Sequence, residues 1–411
     1  MKRSWITRTI FILSLLFSFN ACDLQNENGQ VPVTENKYLI SYRLDNSYPK
    51  AVIDLLFSQL GSTVPEVTAI RSKINYSINV YKVTYKTTFQ KQDKVASGLV
   101  CIPIGSGPFP LLSFQNGTNT LNANAPSVNP GYELYQLIEA VASTGFVVII
   151  PDYLGFGSSS QMFHPYLHKE STVQSVTDLL RAVKEMFANH LKDIKISKDL
   201  YLMGYSQGGW ATLALQKEIE TKHAQDFTLK ASACGAGPYN LTEMTSYVLL
   251  QQQYPMPAFL GYMMNSFIKA GETSLSYGAI FNRPYDTRVP VLYDGTKSID
   301  EINAQLTANV NELFTIDLRN NFSSAASYAS LRTALQKNSV EAWATTTPTL
   351  LLHGKKDLYV PFMISTYTYQ KFLDAGAASQ VTFVPLPELD HNGAIVPSGL
   401  ASIKWFLDLK Q

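Results

Sequence analysis

The sequence predicts an α/β fold: a mostly parallel central sheet with helices on both faces, broken late in the chain by a helical cap insertion. Three observations lead there. From Leu111 to Gly235, short apolar runs alternate with segments of helical spacing, the pattern of strands joined by right-handed crossovers. One of those runs, Phe146-Val147-Val148-Ile149-Ile150, is apolar throughout, as a central strand buried on both sides requires. The alternation stops at Pro238 and resumes at Pro348-Thr349-Leu350-Leu351-Leu352-His353, which leaves about 110 residues between two core strands.

In chain order, residues 1–21 carry Lys2, Arg3 and Arg8 ahead of the apolar stretch Ile10 to Phe19. They read as a secretory signal, because the apolar core is too short to span as a stop-transfer helix and basic residues flank it on the amino side only. Cys22, directly after Asn20-Ala21, resembles the processing site of bacterial lipoproteins, although Phe19-Asn20-Ala21 departs from the usual leucine-led triplet. The expectation is an exported protein held at a membrane by lipid on Cys22, with plain secretion as the alternative. Residues 22–36 are mostly polar and read as a flexible tether.

The core is expected at 37–238 and 347–411, with the cap at 239–346. Ala51 to Leu60 has amphipathic helical spacing, and Tyr76 to Thr87 and Ala96 to Ile104 alternate as a pair of antiparallel strands. Strand and helix then follow in turn: Leu111 to Gln115, Glu133 to Ser143, Phe146 to Asp152, Val173 to His190, Leu200 to Met203, Gly208 to Lys222, Ala231 to Gly235. The insertion is rich in Tyr, Phe and Met, among them Met244, Phe259, Tyr262 and Met263. Most of these are expected to pack a core of the cap's own, and some to line a hydrophobic groove over the site. A helix at Ile364 to Leu373, a strand at Val381 to Leu386 and a last helix at Ala401 to Leu409 complete the core.

With 33 basic and 32 acidic residues and no basic block, nucleic acid is not an expected partner. Cys101 and Cys234 lie in apolar, strand-like runs, so two free buried thiols are expected, with a disulfide between them as the alternative. The six histidines are dispersed and share no metal-ligand spacing with cysteine, so neither metal nor cofactor is implied.

The chemistry concentrates at Gly204-Tyr205-Ser206-Gln207-Gly208, where an apolar run breaks into Gly-x-Ser-x-Gly and restarts with helical spacing at Leu213, Leu215 and Ile219. That is the outline of a nucleophile elbow: a sharp strand-to-helix turn lifts the serine Oγ clear, and small residues two before and two after it avoid collision. A serine hydroxyl needs a base to take its proton, and the base needs a third group to orient it. Beyond the strand ending at His353 comes Asp357, and beyond the strand ending at Leu386 come Asp390 and His391. Each follows the carboxyl end of a strand, where open α/β sheets build their sites. Asp390 is the competing acid, but it adjoins His391 and neighbouring side chains point apart, so Asp357 is preferred. The oxyanion of acyl transfer requires N–H donors, expected from Gln207 and from the Asn116-Gly117 loop, a pair that also reads as an ordinary tight turn. His164, His168, His190 and His223 read as structural or exposed, with the first two placed near the site by the loop after Asp152.

Taken together, Gln115-Asn116-Gly117-Thr118, Pro151-Asp152-Tyr153-Leu154-Gly155, the Ser206 elbow, His353-Gly354-Lys355-Lys356-Asp357 and Asp390-His391 resemble the α/β-hydrolase superfamily, in particular the capped secretory lipases and esterases of fungi and bacteria. The resemblance implies an α/β-hydrolase fold and cofactor-free cleavage of carboxylic esters, with Ser206, Asp357 and His391 as the triad. Asn116 stands where many members carry histidine, which leaves open which amide completes the oxyanion hole. The resemblance also makes Asp152 a structural cap and turns Tyr153 and Tyr205 toward substrate. The expected substrate is a lipid, a short acyl ester or an acylated carbohydrate. A serine peptidase on the same scaffold and a non-catalytic ligand-binding lipoprotein are the alternatives.

Overall fold

The computed structural model describes residues 36–61, 64 and 66–410; the signal segment, Cys22 and nearly all of the tether lie outside the described residues. Nine strands form one sheet: β1 (Leu39–Tyr48), β2 (Ile78–Phe89), β3 (Gln92–Pro103), β4 (Phe109–Gln115), β5 (Val147–Pro151), β6 (Ile196–Tyr205), β7 (Thr228–Gly235), β8 (Thr349–Gly354) and β9 (Val381–Leu386). Their spatial order is β1-β2-β3-β5-β4-β6-β7-β8-β9. The pairs from β1 through β3 to β5 are antiparallel, and every pair from β5 to β9 is parallel. The mostly parallel sheet is therefore the one expected, and β5 is buried at every position.

Two faces of the sheet carry two separate apolar layers, divided by the alternation of each strand. Val147 and Ile149 of β5 pack with Leu179, Val183 and Trp210 from the helices Lys169–Asn189 and Gln207–Lys222. Val148 and Ile150 pack with Ile138 and Phe406 from the helices Glu133–Ala140 and Ile395–Leu409. Cys101 and Cys234 are buried and unpaired, and they fall in opposite layers, so the free-thiol expectation holds.

β1 was not expected. Only Leu39 of its ten residues is buried, and the second half is almost wholly exposed, so this edge strand has no hydrophobic period to read. Its partner β2 runs into β3 through Gln90 and Lys91, both at positive φ, a two-residue hairpin turn made without the glycine that usually signals one.

Between β7 and β8 the chain passes through several helices, beginning with Leu241–Leu249 and Pro257–Lys269 and ending with Ala329–Asn338. Its apolar side chains, Tyr262, Phe267, Phe281 and Leu331 among them, are continuous with the layer that holds Val147 and Trp210, where a core of its own was expected. The neck explains this. Val340 N–H donates to the Tyr239 carbonyl at 2.8 Å, Leu241 N–H to Ser339 Oγ at 2.9 Å, and the Trp210 indole to the Asn338 carbonyl at 3.0 Å, which seats the insertion directly on the helix after Ser206.

Candidate active site

β6 ends at Tyr205 and the next helix starts at Gln207, leaving Ser206 alone in the turn at φ 59° and ψ −124°, a conformation that side-chain-bearing residues rarely adopt. The turn is crowded. A Cβ on Gly208 would lie 1.9 Å from the Gln115 carbonyl oxygen and 2.8 Å from that of Asn116, so glycine is what lets the end of β4 approach Ser206.

His391 Nε2 lies 3.0 Å from Ser206 Oγ, and its Nδ1 lies 2.6 Å from Asp357 Oδ2. Asp357 Oδ1 accepts the backbone N–H groups of Tyr359 and Val360 at 2.8 and 2.9 Å. Burial by itself would raise the Asp357 carboxyl, but the N–H groups of His353 and His391 outweigh it and hold the group at about 2, so it stays ionised. The two loops meet because Gly354 carries no side chain; a Cβ there would sit 2.4 Å from the Leu389 carbonyl oxygen. Asp390 is exposed and accepts the N–H of Gly393 at 2.7 Å, a contact within its own turn.

Aromatic rings fix His391 from two sides: Tyr205 at 5.2 Å and Tyr359 at 5.1 Å between centroids. The Tyr205 hydroxyl also donates to the His391 carbonyl at 2.8 Å. Tyr205, expected to face substrate, ties its hydroxyl to the histidine loop. Tyr153 was likewise expected to face substrate. It is buried at φ 69°, and its hydroxyl donates to the Asn116 carbonyl at 3.3 Å. Asp152 accepts the Ser127 N–H at 2.7 Å and the hydroxyls of Ser97 and Ser127, and so caps the end of β5 structurally.

The Asn116 amide donates to the Pro151 carbonyl at 2.5 Å, which ties the Asn116-Gly117 loop to β5. Gln207 is anchored by its side chain, whose Nε2 lies 3.0 Å from His164 Nε2. His164 Nδ1 is 2.6 Å from the Leu154 carbonyl, which can only accept; Nδ1 therefore carries the proton and Nε2 accepts from Gln207. Burial pushes His164 down to about 4 and keeps it neutral. Of the two histidines placed near the site, His164 reaches it. His168 caps the helix Lys169–Asn189 and meets Glu272 at 3.0 Å. His190 bonds Asn36, and His223 lies 3.2 Å from Arg181.

Ser206 opens onto a narrow cavity walled by Tyr166, Leu167, Met244, Phe259, Leu260 and Met263. The serine is 8% exposed, and the space open to the centre of a water molecule is only about 10 Å³. Three of those walls come from the helix Pro257–Lys269 of the insertion. That helix is fastened to the core by Tyr262, which stacks on Tyr166 at 4.5 Å with planes 6° apart. His353 was missed as a site residue. Fully buried at the end of β8, it also bonds Asp357 Oδ2, and its spacing of four residues from Asp357 was the available signal.

A hydrophobic-walled serine within reach of a buried histidine and carboxylate defines a hydrolase of the α/β class. The sequence matches the secretory lipase family over residues 120–409, more than half of the chain, and the protein belongs to that family; it is a carboxylic ester hydrolase. Among solved structures it is similar to a candidate hydrolase from Legionella pneumophila, at 26% identity over 91% of this chain and 99% of that one, with a TM-score of 0.78. A ligand-bound form of the rice cell wall degrading esterase LipA from Xanthomonas oryzae is 28% identical over 90% of this chain and 97% of that one, with a TM-score of 0.76. Candida antarctica lipase A in its closed state shares the fold, at 18% identity over 90% and 82% of the two chains and a TM-score of 0.63. Comparison with curated proteins finds no significant match.

Proposed function

We infer that the protein is an exported serine esterase of lipase type, acting through Ser206, His391 and Asp357 by way of an acyl-enzyme. The observation that carries this reading is the chain of contacts from Ser206 Oγ to His391 Nε2 and from His391 Nδ1 to Asp357, at 3.0 and 2.6 Å. Ser206 Oγ attacks the ester carbonyl carbon while its proton passes to His391 Nε2. Asp357 holds the ring and stabilises the imidazolium. The tetrahedral oxyanion receives the backbone N–H of Gln207 and one from the Asn116-Gly117 loop. Collapse breaks the C–O bond to the alcohol, which leaves with the proton from His391. A water molecule, deprotonated by His391, then attacks the acyl-serine and releases the carboxylic acid.

The insertion at 239–346 acts as a lid over the serine. A cavity of this size holds no acyl chain, so the lid moves before substrate enters. The lining residues carry no carboxylate that would hold a peptide amine, and their apolar character favours an acyl group. A lipid or short acyl ester fits that surface. An acylated carbohydrate is supported by the likeness to an esterase that degrades rice cell wall. Residues 1–21 direct export, and lipid on Cys22 fastens the protein to a membrane; loss of membrane association in Cys22→Ser tests the anchor.

Hydrolysis of p-nitrophenyl esters of increasing chain length by the wild type and Ser206→Ala tests the reaction. The expected result is activity that vanishes in the variant, with labelling of Ser206 by a fluorophosphonate. Ester cleavage that survives Ser206→Ala would overturn the assignment.

A further inference from the structure

The end of β8 carries a histidine that neither the nucleophile nor its base touches. His353 is fully buried, and its Nε2 lies 3.0 Å from Asp357 Oδ2 and 3.0 Å from the Val360 carbonyl oxygen. Both of those oxygens can only accept, so Nε2 carries a proton. On the opposite edge of the ring, Nδ1 lies 2.7 Å from Ser365 Oγ, on the helix Phe362–Asp374. The ring is thus fixed at both nitrogens, and its orientation is set by hydrogen bonds rather than by packing against Phe362 alone.

Asp357 consequently has a full set of donors. Two backbone N–H groups hold Oδ1, and two imidazole N–H groups share Oδ2, with His391 at 2.6 Å and His353 at 3.0 Å. Two histidines drawing on one carboxylate oxygen compete for its charge. Whatever His353 withdraws is unavailable to stabilise the imidazolium that forms on His391.

We propose that His353 is a positioning residue for ester cleavage: it aims Asp357 Oδ2 at His391 and takes up part of the carboxylate's charge, which limits how firmly His391 holds a proton. The inference rests on the Ser206, His391 and Asp357 reading. No other titratable side chain among the described residues hydrogen-bonds Asp357. Tyr205, Tyr254, Tyr359 and Asp390 are further titratable groups near the pair, with Lys355 and Lys356 next to Asp357 in the chain, and burial holds Tyr205 and Tyr254 above the ordinary phenol range.

The test compares His353→Phe, which keeps a ring and loses both nitrogens, with His353→Gln, whose amide N–H reaches the position of Nε2. The expected result for His353→Phe is a fall in kcat of about 10- to 100-fold, the scale set by a misplaced catalytic group, with KM little changed. The acidic limb of its kcat/KM profile moves to higher pH, because Asp357 then gives its whole charge to His391. His353→Gln recovers most of the rate and the limb. Equal loss in both variants with an unmoved limb would mean a packing role and overturn the proposal, as would wild-type kinetics in His353→Phe. Ser365→Ala, which touches neither Asp357 nor His391, reads the same relay should His353→Phe not fold: the limb moves up in the same direction, and an unmoved limb is a refutation. Fluorophosphonate labelling separates the two levels. A wild type that does not label refutes the serine assignment, whereas a wild type that labels no faster than His353→Phe refutes only the role of His353.

Discussion

Replacing Asp357 by asparagine tests the geometry most directly, because the outcome follows from counting donors. The side-chain oxygen of the asparagine takes the place of Oδ1, because the Tyr359 and Val360 N–H groups that converge there at 2.8 and 2.9 Å cannot give up their protons, whereas the His391 and His353 rings that face Oδ2 can change tautomer. Its NH₂ group then faces His391 Nδ1 at the former 2.6 Å contact. Two donors cannot share that gap, so His391 moves its proton to Nε2 and presents an N–H to Ser206 Oγ. A base in that tautomer cannot take the serine proton. The expected loss in kcat is about 10⁴-fold, as for the corresponding change in other Ser-His-Asp enzymes, or roughly 5 kcal/mol of barrier. KM for a p-nitrophenyl ester stays near the wild-type value. Asp390→Asn is the matched control: its carbonyl oxygen still accepts the Gly393 N–H, and as an exposed change its effect should stay within about twofold. Asp357→Asn at more than a tenth of wild-type kcat, or Asp390→Asn as the more damaging change, would refute the assignment of the acid.

Glu139 is completely buried, neither carboxyl oxygen has a partner among the described residues, and burial with the nearby Asp45 charge raises it from 4.5 to about 8. The folded protein keeps a proton there that the unfolded chain releases above about 4.5, so stability is lost as pH rises from 4.5 through 8. Glu139→Gln removes this dependence, on the order of 5 kcal/mol at most, and its melting temperature should exceed that of the wild type at pH 9 but not at pH 5; parallel curves would contradict it. Gly208→Ala puts a methyl 1.9 Å from the Gln115 carbonyl oxygen, so the end of β4 must retreat from Ser206. The expected result is a loss of roughly 100-fold or more in kcat, or failure to fold, read by ester turnover and circular dichroism.

What the sequence made legible was local and periodic: the Gly-x-Ser-x-Gly turn, the alternation of strand and helix, and two candidate residues set just past strand ends. Side-chain direction was not legible. Tyr205 and Tyr153 belong to site loops by sequence, yet the hydroxyl of each reaches a backbone carbonyl within the scaffold, a choice made by contacts 186 and 37 residues away along the chain. His353 closes an apolar strand and looked like its last core position; only the return of the chain through Val360 and Ser365 gives its two nitrogens partners. β1 escaped because an exposed edge strand selects neither face.

The conformation of Ser206 has a further consequence for how this protein can change over generations. At φ 59° the serine holds a backbone shape that glycine adopts freely, and such positions typically cost about 1–3 kcal/mol. A glycine at position 206 would relax that strain and leave the surrounding fold untouched. Directed evolution that rewards heat resistance alone would therefore drift toward an inert protein, and any stabilisation campaign on this scaffold has to select for turnover at the same time.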